Sequence, residues 1–280
     1  MLDTDIFGIH HYNLDNACAH LENSQFKNLK NEFDNENESE KKSRCRPNTI
    51  CNSGWGFFSI SSESMPGYQL FCRLKEADLQ IENVSAFLNI LKDTADDKKI
   101  HIICLNRENI AGALHIESAL FHAARSWLND KSISNSFEME VLLYASGTRQ
   151  CSSAANFGLK AGKNKLFVCL CKIEKSTDVK TETEISAIFK YEDQAFDDIS
   201  RKIQETLPFE SSSFKGFSNC IDKDTTVTGK LSQKSGNIKN PKINRLMKLF
   251  NITKEEIEAA GEDKFEELIL EKVALLDVLK

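Results

Sequence analysis

Between Ile133 and Ala154 the chain reads ISNSFEMEVLLYASGTRQCSSA, which gathers two carboxylates, an Arg and a Gln around one Ser-Gly break. Glu138 and Glu140 are the nearest thing to an acid/base couple. Two residues apart on a helix they point in different directions, so the couple is a poor one. Arg149 is the nearest cation. A helix start leaves backbone N–H groups unpaired at the positive end of the dipole, so helix starts beside an Arg suit a small anion, phosphate first. The alternative is that Arg149 only pairs with Glu138 or Glu140 and fixes the corner. The residue pattern leaves both open.

Other chemistry finds less support. His115 and His122 lie seven apart on one expected helix, about two turns or ~10 Å, too far for one metal ion. Both are expected to be solvent-facing or at the core edge. His10 and His11 fall on an expected strand and point to opposite faces. The nine cysteines form no paired C-x-x-C set: Cys45 and Cys51 are too widely spaced and Cys169-x-Cys171 too closely. A structural or incidental role in the reduced state is expected of them. The sequence contains no Walker loop, G-x-G-x-x-G, G-x-S-x-G or H-E-x-x-H. No metal, cofactor or catalytic residue is expected.

The polar residues of the central stretch can act only if its elements place them. Asn135 can cap a helix, with Glu138 three residues on to return the bond. Phe137, Val141, Leu142 and Ala145 then share one side, and Gly147 supplies a left-handed exit. Thr148 can cap a second, short helix whose Cys151, Ala154 and Ala155 face inward before Gly158 ends it. "KLFVCLCKI" (165–173) follows as the strongest strand, with "ISAIFKY" (185–191) as a candidate neighbour.

Upstream, "YQLFCRL" (68–74) and "KIHIICL" (99–105) read as strands, and "VSAFLNILKDTA" (84–95) reads as a helix. Ile110, Ala113, Leu114, Phe121, Ala124 and Leu128 form one stripe of a longer helix. Downstream, 193–207 is helical and stops at Pro208. Asn240 with Pro241 opens a helix that Asn251 can end. Thr253 and Glu256 form a capping box, and Gly261 closes that helix. Leu268 to Leu279 is apolar on nearly every face, so it must be buried in its own domain or against something else. Before these elements, "IFGIHHY" suggests a short strand, 14–23 a weak helix and "GWGFF" (54–58) a return of apolar density. Residues 23–53 and 210–240 have the polar, low-complexity composition of mobile insertions. The organisation expected is a segment over 1–67 and one domain over 68–280.

At 280 residues, 40% hydrophobic and 28% charged, the chain has the composition of a globular protein. Met1 is followed by Leu-Asp-Thr-Asp, acidic where a signal peptide would be basic, so a cytoplasmic location without membrane contact is expected. The net charge of −6 argues against a general polyanion binder, yet residues 99–172 carry nine Lys/Arg against five Asp/Glu. A mildly basic centre in an acidic chain suits a small anionic contact.

"ISNSFEMEVLLYASGTRQ", followed by a small-residue helix, "FGLKAG" and an apolar strand, closely resembles the kinase-binding subunit of the KEOPS (EKC) complex. The family shows an Asn-Ser start, an aromatic, a Met-Glu, an aliphatic run and Ala-Ser-Gly-x-Arg-Gln in this order. The resemblance extends from about Tyr68 to Leu207 and again over 241–279, where "LILEKVALLDV" is similar to the family's closing helix. It implies an α/β (α+β) fold, a small antiparallel sheet surrounded by helices. It also implies a non-catalytic subunit that binds the N-lobe of a small atypical kinase-like ATPase and helps recruit tRNA through its 3′ CCA end. The purpose is threonylcarbamoyladenosine modification at position 37, with other KEOPS subunits reached indirectly. A CCA end needs a short cationic pocket with amides and a planar donor. Asn135 and Ser136 at one helix start, with Gly147, Arg149 and Gln150 at the next, are the candidates. Arg149 would be the cation, oriented by Glu140, with Asn135 and Gln150 as base-edge readers and Gly147 allowing close approach. Leu270 and Leu275 are the candidates for the kinase contact or for completing the core. A phosphate-binding protein or enzyme using the Arg149 corner, and a pure protein-interaction adaptor, are the alternative readings.

Overall fold

The apolar run at 165–173 does not alternate as a half-buried strand would, because both faces of the sheet it joins are covered. In the computed structural model it lies within β4 (Gly162–Lys175), one of the two central strands of the sheet. The structure describes residues 57–61, 65–175, 182–219, 240–261 and 264–278. The strand at "IFGIHHY", the helix at 14–23, the His10–His11 pair, the expected insertion at 23–53 and residues 220–239 lie outside the described residues.

Strands β1 (Phe57–Ser61), β2 (Tyr68–Ile81), β3 (His101–Asn106) and β4 form an antiparallel sheet in the order β1-β2-β4-β3. A two-residue β5 (Ser218–Asn219) pairs with β2 at Lys75 and Glu76. β2 and β4 run together over their whole lengths, from Tyr68↔Lys175 to Ile81↔Gly162. Met65 to Gly67 turns the chain from β1 into β2: the Tyr68 N–H donates to the Met65 carbonyl at 3.1 Å, and Gly67 takes φ +74°.

Period-2 alternation sorts the strands between two cores. On one face Leu70, Cys72, Leu74, Ile103, Leu105, Phe167, Cys169 and Cys171 meet α2 (Ala113–Leu128), α3 (Phe137–Ser146), α7 (Pro241–Phe250), α8 (Lys254–Ala260) and α9 (Phe265–Val278). On the other, Ala77, Leu79, Ile81, Ile102, Cys104, Val168 and Leu170 meet α1 (Val84–Lys98) and α5 (Glu182–Thr206). The cysteines of the sheet are free thiols. Cys72 and Cys171 face each other with sulfurs 3.3 Å apart, and burial pushes the Cys72 and Cys104 thiols well up, so they pack as small apolar groups.

Several expectations need correcting. Residues 185–191 are not a strand but part of α5. Ile188, Ala195, Phe196, Ile199 and Ile203 are buried at helical spacing, and a long amphipathic helix on a sheet outweighs a short β-prone run. The stripe forecast for α2 is rotated. Its buried line is His115, Ile116, Ala119, Leu120, Ala123 and Ala124, with Leu114, Phe121 and Leu128 at the edge, because α3 and α9 both cover it. Residues 208–219, nearly all of them within the expected second insertion, are packed: α6 (Pro208–Ser213) leads to Phe214, which is buried in the second core, and to β5. The helix ends of the final segment are as expected. Asn240 and Pro241 open α7, Asn251 closes it at φ +51°, and the Thr253–Glu256 capping box is complete. Among the described residues no helix is long and apolar enough to cross a membrane.

His115, expected at the surface or core edge, is fully buried. Its Nε2–H donates to the Ala145 carbonyl at 2.8 Å, and its Nδ1 accepts the Ala111 N–H at 3.1 Å. Both ring nitrogens are used by the neutral form. Burial pushes its pKa down to about 4 against the opposing bond to Ala145. Below the ordinary His value the unfolded chain therefore takes up a proton that the folded chain refuses. Stability should fall as pH is lowered from about 6.5 to about 4, by up to ~3 kcal/mol from this group. Urea unfolding of wild type and His115→Gln across this range should show a shallower pH slope in the variant; parallel slopes would contradict the assignment.

Candidate functional site

Helix α3 carries the central motif, and its two ends have separate surroundings. Ser136, not Asn135, is the N-cap: its hydroxyl accepts the Met139 N–H at 3.2 Å. Glu138 closes no capping box, since it accepts a 2.9 Å hydrogen bond from His101 Nδ1 on β3, whose ring packs against Phe137. Asn135 and Ser136 are exposed.

Glu140 does not serve Arg149. It is fully buried. One oxygen accepts the N–H groups of Ile133 and Ser134 at 2.8 and 2.9 Å, and the other meets the Ser126 hydroxyl at 3.0 Å. The Met-Glu of the motif therefore folds the 132–134 loop onto α2 and so sets where α3 begins.

At the far end Gly147 takes φ +60°, with N–H bonds from Gly147 to Tyr144 and from Thr148 to Leu143 closing the helix in a Schellman turn. A Cβ on Gly147 would also meet the Lys272 carbonyl at 3.4 Å, so the close approach it allows is that of α9. Arg149 and Gln150 follow, both exposed. Gln150, rather than Thr148, starts the one-turn α4 (Cys151–Ala154), and of its three expected inward residues only Ala154 is buried, Cys151 and Ala155 being exposed. The fold thus brings Asn135 and Ser136 together, and Gly147, Arg149 and Gln150 together. A helix of ten residues, about 15 Å, separates the two groups.

Helix α9 shows a second surface. Phe265, Ile269, Leu270, Val273 and Leu276 are buried, Leu270 with 8% exposure, so Leu270 is packed within the chain. The outer face carries Glu267 and Glu271, then Ala274, Leu275 and Val278, with Leu275 36% and Val278 78% exposed. Two acids on the inner side lock the helix down. Glu266, almost wholly buried, lies at the start of α2, where the His115 N–H donates to it at 3.3 Å. It fits because position 112 is Gly: a Cβ there would stand 2.5 Å from its oxygen. Asp277 accepts hydrogen bonds from His122, Arg125 and Tyr144. Neither acid was expected from the sequence. A lone Asp in "LLDVL" is the one local hint.

A family model described as kinase binding protein CGI-121 matches residues 80–277, from the end of β2 to Asp277. The chain belongs to this family. No individual curated protein matches it. Membership in the CGI-121 family bears out the resemblance to the KEOPS kinase-binding subunit, and the antiparallel sheet flanked by helices is the fold that the resemblance implied. In this member the motif residues divide by task. Glu140, Gly147 and Ser136 shape α3, while Asn135, Arg149 and Gln150 stand at the surface.

Glu140→Ala should cost roughly 2–4 kcal/mol, because two buried amides lose their acceptor. Urea denaturation and faster amide exchange at Ile133 and Ser134 would report it. Unchanged stability would mean that the loop does not depend on this carboxylate.

Proposed function

We propose that the chain is the non-catalytic subunit of a cytoplasmic KEOPS complex, docking the small kinase-like ATPase on the outer face of α9 and offering the α3 region to the 3′ end of tRNA. The observation that carries the kinase half is the exposed Leu275 and Val278 on a helix whose inner apolar residues are all buried, in a chain of a kinase-binding family. Single exposed apolar residues are ordinary. Ala274, Leu275 and Val278 together, with Glu267 and Glu271 further along the same face, have the apolar centre and polar rim of an interface.

The RNA half rests on Asn135 and Ser136 at one end of α3 and Gly147, Arg149 and Gln150 at the other. Their separation suits a single-stranded end laid along the helix better than one small anion held in a pocket. The net positive charge of residues 99–172 favours such a strand. Arg149 supplies the cation and planar donor, and Asn135 and Gln150 supply paired donor and acceptor groups for base edges. Other KEOPS subunits are then reached through the kinase, with the threonylcarbamoyl chemistry performed elsewhere in the complex.

Two substitutions separate the halves. Leu275→Arg should weaken kinase binding by about 2 kcal/mol or more while the chain melts as wild type. Arg149→Ala should lower affinity for intact tRNA by about 1 kcal/mol and leave kinase binding unchanged, and trimming the CCA end should erase that difference. Equal binding of intact and trimmed tRNA by wild type would discard the RNA half alone.

A further inference from the structure

An acid in the last turn of a helix has the wrong sign for the helix dipole, which favours cations there. Asp277 occupies that place in α9, whose last turn carries no basic residue of its own. The missing cation, Arg125, comes from another helix. Asp277 Oδ2 accepts from His122 Nδ1 at 2.7 Å and from Arg125 Nη2, both on α2, while Oδ1 accepts from the Tyr144 hydroxyl on α3. The His122 ring lies flat on the Tyr144 ring, centroids 5.6 Å apart and planes at 18°, so the two donors brace each other. The carboxylate is four-fifths shielded from water. Burial pushes its pKa up, and the bonds from His122 and Tyr144 with the charge of Arg125 outweigh this, holding it well below the usual carboxylate range. The Tyr144 hydroxyl is pushed well up, by burial and by its bond to Asp277. The cluster is thus an ionised acid tied to three donors.

Helix ends fray, and the last turn of α9 is the one that carries Leu275 and Val278 on its outer side. We infer that Asp277 is a positioning residue for kinase docking: by tying this turn to α2 and α3 it fixes where Leu275 and Val278 stand. The inference rests on α9 being the docking helix. A helix end that breaks a local rule and restores the balance with partners from two other helices is better explained by what it must hold in place than by its own stability.

The test uses the full-length chain and the KEOPS kinase expressed separately, with affinity measured by calorimetry. Asp277→Asn is expected to weaken binding by about tenfold. Tyr144→Phe, which deletes one hydrogen bond and little volume, is expected to weaken it by about threefold with unchanged circular dichroism, and keeps the test open if Asp277→Asn folds poorly. The deciding readout is the cycle between positions 277 and 275, whose side chains act on different partners. If Asp277 positions Leu275, then Leu275→Ala weakens binding several-fold in wild type but by less than about twofold once Asp277 is Asn or Tyr144 is Phe. Multiplying losses, or wild-type affinity in both cluster variants, would overturn the inference. Wild-type affinity in Leu275→Arg would instead overturn the docking reading on which it stands.

Discussion

Helix α9 is held by a carboxylate near each end, and much of the proposed docking surface depends on that arrangement. Glu266 lies at the start of α2 and Asp277 reaches His122 and Arg125 further along it, so the two helices run side by side in the same direction. Eleven residue steps, about 16 Å of helix, separate the two contacts. Apolar packing alone would tolerate a helix that slides or turns, because it has no direction. A buried and a largely shielded acid with fixed partners do not. The arrangement also explains Gly112, which is needed for the space Glu266 occupies and not for its backbone angles.

The same region joins the two proposed surfaces. Tyr144, in the last turn of α3, bonds Asp277, and Gly147, just past it, packs against the Lys272 carbonyl. Arg149 follows two residues later. The exit of α3 and the outer half of α9 are therefore one packed unit on one side of a sheet whose other face is sealed by α1 and α5. This suits a subunit that must present two surfaces at a set separation.

What the sequence revealed was what local rules decide. The capping box at Thr253, the Asn-Pro start of α7, the left-handed exit at Gly147 and the doubly buried β4 all depend on residues within a few positions of one another. The errors arose where distant residues decide. Asn135 and Ser136 are both good caps, and the choice between them falls within a loop that Glu140 folds. Glu140 itself is explained by Ser126, fourteen residues upstream. The partners of Asp277 lie more than 130 residues away, and those of Glu266 about 150. His115 looked like a surface histidine because the carbonyl it needs belongs to α3. The central motif was recognisable as a unit, yet several of its polar residues, Glu140 above all, turn out to build the helix.

Amide hydrogen exchange along 265–278, followed by mass spectrometry in the free chain and with the kinase bound, tests this picture most directly. A helix docked in advance by Glu266 and Asp277 should exchange slowly in the free chain, on the timescale of α2. Kinase binding should then add protection mainly from Ala274 onward. Exchange of the whole helix within seconds in the free chain, with protection appearing only in the complex, would contradict it: the kinase, and not the two carboxylates, would then be what orders α9.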